Sequence, residues 1–289
     1  MSRDTFLLNE MTRSTFVCYM KLTREGQGKS VVVLVPGGPG LTPDFYRELT
    51  EALRRFVEVA TYEQRGSRPP DSDDYPRSIG EYAQELTEVV EAVGKESKPV
   101  VLMGHSSGAA VVIEALLQGV DADGAILLNG FDSGRMLARG LQKRQSGLPD
   151  AFQKSYPEAK RQGLEAVMPL LAEYFYPRHF CRAEVWPDSF SEPLAKLNGK
   201  FFTHFVGNDL FEPKGVIESW DRSEELGRIA QPTLVVSALH DYYLPEDLRR
   251  VANELEHGEL WISENGSHTP WVEDPEAFYP VLERFLSRF

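Results

Sequence analysis

The chain has 289 residues, 42% of them hydrophobic and 26% charged, enough for a sizeable core in one large α/β domain or one domain carrying an insertion. Its formal net charge of -13 repels phosphate backbones and anionic lipid, which argues against nucleic-acid or membrane-surface binding. Two distant cysteines, Cys18 and Cys181, build neither a disulfide framework nor a zinc cluster, and no apolar run reaches the length of a membrane span.

The opening MSRDTFLLNEM has no long apolar stretch, so no signal peptide is expected and a cytoplasmic location follows as the default. Residues 16–22 alternate as an outer strand should, and 31–35 form a continuous apolar run suited to a central strand. Residues 49–56 read as helix and 57–62 as strand. Leu86, Val89, Val90 and Val93 give 82–93 an apolar helical face. Strand 100–103 runs directly into a helix from GHSSGAAVVIEALL, and strand 125–128 follows. Strands 233–237 and 260–262 and a closing helix, 275–289, complete the set. Strands alternating with helices predict an α/β fold with a mostly parallel sheet and helices on both faces.

Residues 132–222 break that rhythm. They hold helical stretches at 136–145 and 159–175 and many aromatics, but no convincing central strand. The expected division is a core of 1–131 and 223–289 with a helical cap at 132–222, the competing view being extra core helices.

Gly104-His105-Ser106-Ser107-Gly108 fits G-x-S-x-G between a strand and a helix. A serine at so sharp a turn projects its hydroxyl above the sheet edge, and the helix start points N–H groups at developing negative charge. The hydroxyl needs a base. Asp241 lies just past strand 233–237 and His268 just past strand 260–262. Both fall at the carboxyl edge of the sheet, in the chain order serine, acid, histidine. Ser106 is thus the expected nucleophile, His268 the base and Asp241 its orienting acid. Glu264 and Asp274 lie too close to His268 in sequence to be favoured as the acid. His105 supports the turn, His240 packs locally, and His179, His204 and His257 read as surface or capping residues.

The apolar run 31–35 ends in Pro36-Gly37-Gly38-Pro39-Gly40. A tetrahedral intermediate needs backbone donors, and a stiffened glycine loop after the first central strand supplies one. The expected oxyanion donors are the N–H groups of Gly38 and Ser107, with Gly37 second to Gly38. No Gly-Lys-Ser/Thr follows, so a phosphate-binding loop is excluded. No histidine-rich metal motif appears, and neither metal nor other cofactor is expected.

These motifs resemble the proline iminopeptidase family of α/β-hydrolase serine peptidases. Its loop HGGPG corresponds to 36–40, its D-Q-R-G to Glu63-Gln64-Arg65-Gly66, and its nucleophile elbow to 104–108. Gly207-Asn208-Asp209-Leu210-Phe211, Trp220-Asp221, Asp241 and Gly266-Ser267-His268 extend the likeness over most of the chain, least within 132–205. The resemblance implies an aminopeptidase that holds its substrate's free amine with acidic side chains. The matching positions here are Leu210 and Tyr242, neither of which pairs with an ammonium by charge; Asp209 or Glu212 substitutes only if the cap backbone shifts. Pro36 stands for the loop histidine and Ser107 for an aromatic.

The expected substrate is a small molecule or short peptide, cleaved at an amide or ester through an acyl-enzyme. An amidase, esterase or C–C bond hydrolase without amine recognition is the alternative. A ligand-binding protein that kept the fold without turnover is a third reading.

Overall fold

The computed structural model describes residues 4–8, 20–67, 75–94 and 98–289. Eight strands form one sheet: β1 (Asp4–Leu8), β2 (Met20–Glu25), β3 (Val31–Val35), β4 (Glu58–Tyr62), β5 (Val100–His105), β6 (Gly124–Leu128), β7 (Thr233–Ala238) and β8 (Gly258–Ser263). Their order is β1-β2-β4-β3-β5-β6-β7-β8. β1 and β2 pair antiparallel, as do β2 and β4, and every later pair is parallel. The expected outer strand is shifted toward Met20–Glu25, its residues 16–19 lying outside the described residues, and the edge strand β1 was not anticipated.

Alternate residues of the parallel strands feed two apolar layers. Val33, Leu102, Leu127 and Val235 face α2 (Ile79–Val93), α3 (Ser107–Leu117) and α10 (Pro245–Glu254). Val32, Val101, Ile126 and Leu234 face α1 (Arg47–Leu53) and the closing helix (Pro275–Leu286). Burial on both faces accounts for the unbroken Val/Leu/Ile runs in these strands. Each fully buried side chain of this kind contributes about 1.5–3 kcal/mol. At the start of α2 the Ser78 side chain accepts from the Glu81 N–H, a capping interaction carried by S-x-x-E.

The chain runs outward from β3 in both directions, to β4 on one side and β5 on the other. The carboxyl ends of β3 and β5 therefore flank the switch point where open α/β sheets leave a crevice.

Between β6 and β7 lie α4 (Gly134–Ser146), α5 (Asp150–Gln162), α6 (Leu164–Leu170), a π-helical turn (Leu171–Phe175), α7 (Tyr176–His179), α8 (Asp188–Ala195) and α9 (Gly199–Val206). The expected single helix over 159–175 is divided at Gly163, whose φ of 104° leaves the right-handed helical region. No strand of the sheet comes from this stretch.

Candidate active site

Ser106 sits between β5 and α3 with φ 55° and ψ -121°. A positive φ is strained for a residue with a Cβ, and here it holds the side chain at the sheet's carboxyl edge. Its backbone is pinned by N–H donation to Leu128 O at 3.0 Å, and Ser106 O accepts from the Ala109 N–H at 3.0 Å. Ser107 opens α3, so its N–H belongs to the first turn, which has no intrahelical acceptor.

His268 and Asp241 come together from the loops after β8 and β7. His268 Nδ1 lies 3.1 Å from Asp241 Oδ1. Ser106 is 7% exposed, His268 2% and Asp241 0%. Burial pushes the imidazole of His268 down to about 3, so it is neutral near pH 7 and its Nε2 is an acceptor. Burial raises Asp241, while hydrogen bonds from Asn129 and from the Tyr242 and Tyr243 backbone pull it back.

Asn129 was not picked out in the sequence. It stands just past β6 with φ 45°, and its Nδ2 donates to Asp241 Oδ2 at 2.6 Å and to Ser267 O at 2.8 Å. One amide thereby ties the acid's carboxylate to the histidine's loop. The signal was an Asn-Gly pair directly after a strand at the carboxyl edge. Arg144, on α4, adds Nε donation to Asp241 O at 2.7 Å and donation to Leu239 O at 2.9 Å.

A second chain of hydrogen bonds braces the glycine loop. His105 Nε2 faces His268 O at 3.0 Å, an obligate acceptor, so that nitrogen carries the proton. His105 Nδ1 then accepts from Tyr46 Oη at 3.0 Å, and Tyr46 Oη accepts from the Gly37 N–H at 2.7 Å. Full burial holds His105 well below the ordinary imidazole value. His105 thus supports the turn, as expected, through Tyr46, which no local motif announced. Gly37 has no room for a side chain: a Cβ there would stand 2.5 Å from His105 O and 2.8 Å from Ser106 Cβ. Gly38, with φ 126°, is the next residue of the loop, and the Gly37 N–H is already taken by Tyr46.

Tyr242 and Tyr243 stand beside the serine. Ser106 Oγ lies 3.5 Å from Tyr242 Oη and 3.4 Å from Tyr243 Oη. Tyr242 Oη lies 2.7 Å from His268 Nε2. No direct hydrogen bond joins Ser106 Oγ to His268 Nε2. Phe180 packs over His268 at 5.6 Å between centroids, and Phe175 packs on Tyr242 at 5.9 Å.

Asp209 and Glu212 have other partners. Asp209 accepts from the Phe211 N–H at 2.9 Å and from Tyr156 Oη, and pairs with Lys160 Nζ at 2.5 Å. Glu212 is exposed and pairs with the same lysine at 3.1 Å. Leu210 packs partly buried against the apolar layer that includes Phe211 and Phe175. His179 Nδ1 bonds His240 O at 2.8 Å, and His204 Nε2 bonds Pro76 O at 3.0 Å. Among the described residues, no helix is long and apolar enough to cross a membrane.

The model of the alpha/beta hydrolase family matches residues 32–281. A proline iminopeptidase from Flavobacterium johnsoniae is 26% identical over 272 residues, 90% of each chain. One from Saccharolobus solfataricus is 27% identical, covering 93% of this chain and 89% of its own. Among solved structures, VinJ superposes with a TM-score of 0.86 at 23% identity, covering 99% of this chain and 98% of its own. The proline iminopeptidase of Mycobacterium smegmatis gives 0.84 at 19% identity, with the same coverage. A match over 250 residues, together with the strand order and the strained serine turn, places the chain in the alpha/beta hydrolase family, with proline iminopeptidases among its relatives.

Proposed function

We propose that the protein is a serine hydrolase that cleaves an amide or ester of a small molecule or short peptide through an acyl-enzyme. The observation that carries this is Ser106 on its strained turn beside the buried His268–Asp241 pair. In the acylation step, His268 Nε2 takes the Ser106 proton as Oγ attacks the carbonyl carbon. Asp241 holds the imidazole by Nδ1 and stabilises the imidazolium. The oxyanion accepts from the Gly38 and Ser107 N–H groups; losing one such donor costs roughly 2.7–4 kcal/mol in the transition state. The imidazolium then protonates the leaving group, and water, deprotonated by the same nitrogen, releases the acid. Residues 132–222 form the cap over this site in this reading.

The substrate need not carry a free amine. Tyr242 and Leu210 stand at the positions where the resemblance implied acids. Asp209 and Glu212 are both engaged with Lys160. The rings packed on His268, from Phe180 and Tyr242, are uncharged. A hydrolysis panel tests this: a proline anilide with a free amine, its N-acetylated form and short-chain aryl esters, with Ser106→Ala as control. Serine-dependent cleavage of the blocked amide or the esters is the expected result. Strict preference for the free amine refutes the substrate assignment.

The Tyr242 hydroxyl on His268 Nε2 favours a second reading, a ligand-binding protein of this fold without turnover. Failure of a fluorophosphonate to label Ser106 would support it.

A further inference from the structure

In the resting site His268 Nε2 is already engaged. Because Nδ1 faces the Asp241 carboxylate, the proton of the neutral imidazole sits on Nδ1 and Nε2 carries the only free lone pair. The Tyr242 hydroxyl donates into that lone pair at 2.7 Å. Ser106 Oγ is left with the two tyrosine hydroxyls, at 3.5 and 3.4 Å. A base whose lone pair is filled cannot take the serine proton directly, and the phenol stands where a leaving group would collect its proton.

The ring is held as well as the hydroxyl. It lies 4.4 Å from the His268 ring, 4.6 Å from Tyr243 and 5.9 Å from Phe175, centroid to centroid. Burial and the neighbouring Asp241 charge oppose ionisation of the phenol, so it stays a donor. Yet Tyr242 is only partly buried, unlike Tyr243, and its hydroxyl is held by hydrogen bonds rather than by a salt bridge. A neutral hydrogen bond of this kind is exchangeable on ligand binding.

We propose that Tyr242 is a specificity-determining residue that acts by occupying the Ser106–His268 line: only a substrate whose group beside the scissile carbonyl takes the phenol's place lets serine and histidine meet. The displacing group is one that packs against Phe175, Tyr243 and the His268 ring, hence uncharged and flat or branched. This rests on the serine hydrolase reading. Discrimination then comes from displacement as well as from fit, since a small acyl group that leaves the phenol in place leaves the base capped.

The test uses the full chain and a small dialkyl fluorophosphonate, too small to displace the ring. Tyr242→Phe keeps the ring and removes the cap; Tyr242→Ala removes both. Labelling of Ser106 should rise about fivefold in Tyr242→Phe, the factor set by loss of one neutral hydrogen bond. It should rise further in Tyr242→Ala, with a narrowed difference in kcat/KM between acetyl and bulky aryl-acyl esters. Labelling that is unchanged or slower in both variants overturns the proposal, a slower rate marking the hydroxyl as a proton relay. Should either variant unfold, the unaltered protein decides: in its Ser106 adduct with a bulky aryl phosphonate, large enough to take the ring's place, the phenol oxygen must lie beyond hydrogen-bond distance of Nε2, and finding it still there refutes displacement. No Ser106-dependent labelling in any form would instead sink the serine hydrolase reading itself, and this proposal with it.

Discussion

Replacing Asn129 should damage stability and chemistry together, by an amount its contacts set. The side chain is fully buried, and its Nδ2 donates to two acceptors on different loops. The bond to the Asp241 carboxylate is charge-assisted, worth about 2 kcal/mol, and the bond to Ser267 O is neutral, worth about 1 kcal/mol. Asn129→Gly tolerates the φ of 45° and should lose only these, about 3 kcal/mol in urea unfolding. With an unfolding entropy of about 0.6 kcal/mol/K for a chain of this length, that is a fall in Tm of about 5 °C. Asn129→Ala must also hold a Cβ in the left-handed region and should lose about 1 kcal/mol more. The carboxylate, no longer anchored to the loop of His268, orients the imidazole less well. If the whole 2 kcal/mol is expressed in the transition state, turnover drops about thirtyfold. Losses below about 1 kcal/mol in both variants, with Ser106 labelling unchanged, would refute the claim that this amide holds the acid.

Gly37→Ala should lower turnover about 10²–10³-fold with about 1–3 kcal/mol of destabilisation, because its Cβ would meet the His105 carbonyl and Ser106 Cβ and push the loop out of line; near-normal kcat would refute the close approach. Burial depresses the His268 value, so the neutral, active base persists as pH falls through the ordinary imidazole value of 6.5. The acid limb of kcat/KM should therefore lie below about pH 5, and a limb centred near 6.5 would contradict the burial argument. Asp209→Asn breaks the pair with Lys160 but should change the ratio of free-amine to blocked-amide cleavage less than about twofold; a selective loss of the free-amine substrate would show that this acid recognises ammonium.

What was legible in the sequence followed from local rules. β3, β5, β6 and β7 declared themselves because both faces are buried, which forces continuous apolar runs, and Ser106, Asp241 and His268 because strand ends in this layering deliver side chains to one edge. What was hidden depended on partners distant in the chain. Tyr46 reads as an ordinary helix-start aromatic until the fold sets its hydroxyl between Gly37 and His105. Asn129 needs Asp241 and Ser267, more than a hundred residues away. The edge strand β1 was missed because two-sided apolar patterning, the signal that worked for the centre, does not apply at an antiparallel edge. The long helix expected over 159–175 followed its apolar spacing past a glycine that ends one helix and starts another.

Arg144 has a bearing on how such a molecule is rebuilt. It reaches from α4 to the carbonyls of Leu239 and Asp241, and α4 approaches that same segment so closely that a Cβ on Gly140 would stand 2.3 Å from Tyr242 O. The first helix of the inserted stretch is therefore welded to the acid's loop, backbone against backbone. Exchanging residues 132–222 as a block would remove these contacts and loosen the loop that carries Asp241, whatever the substrate. Libraries aimed at new substrates should therefore begin after Ser146 and leave α4 as part of the chassis.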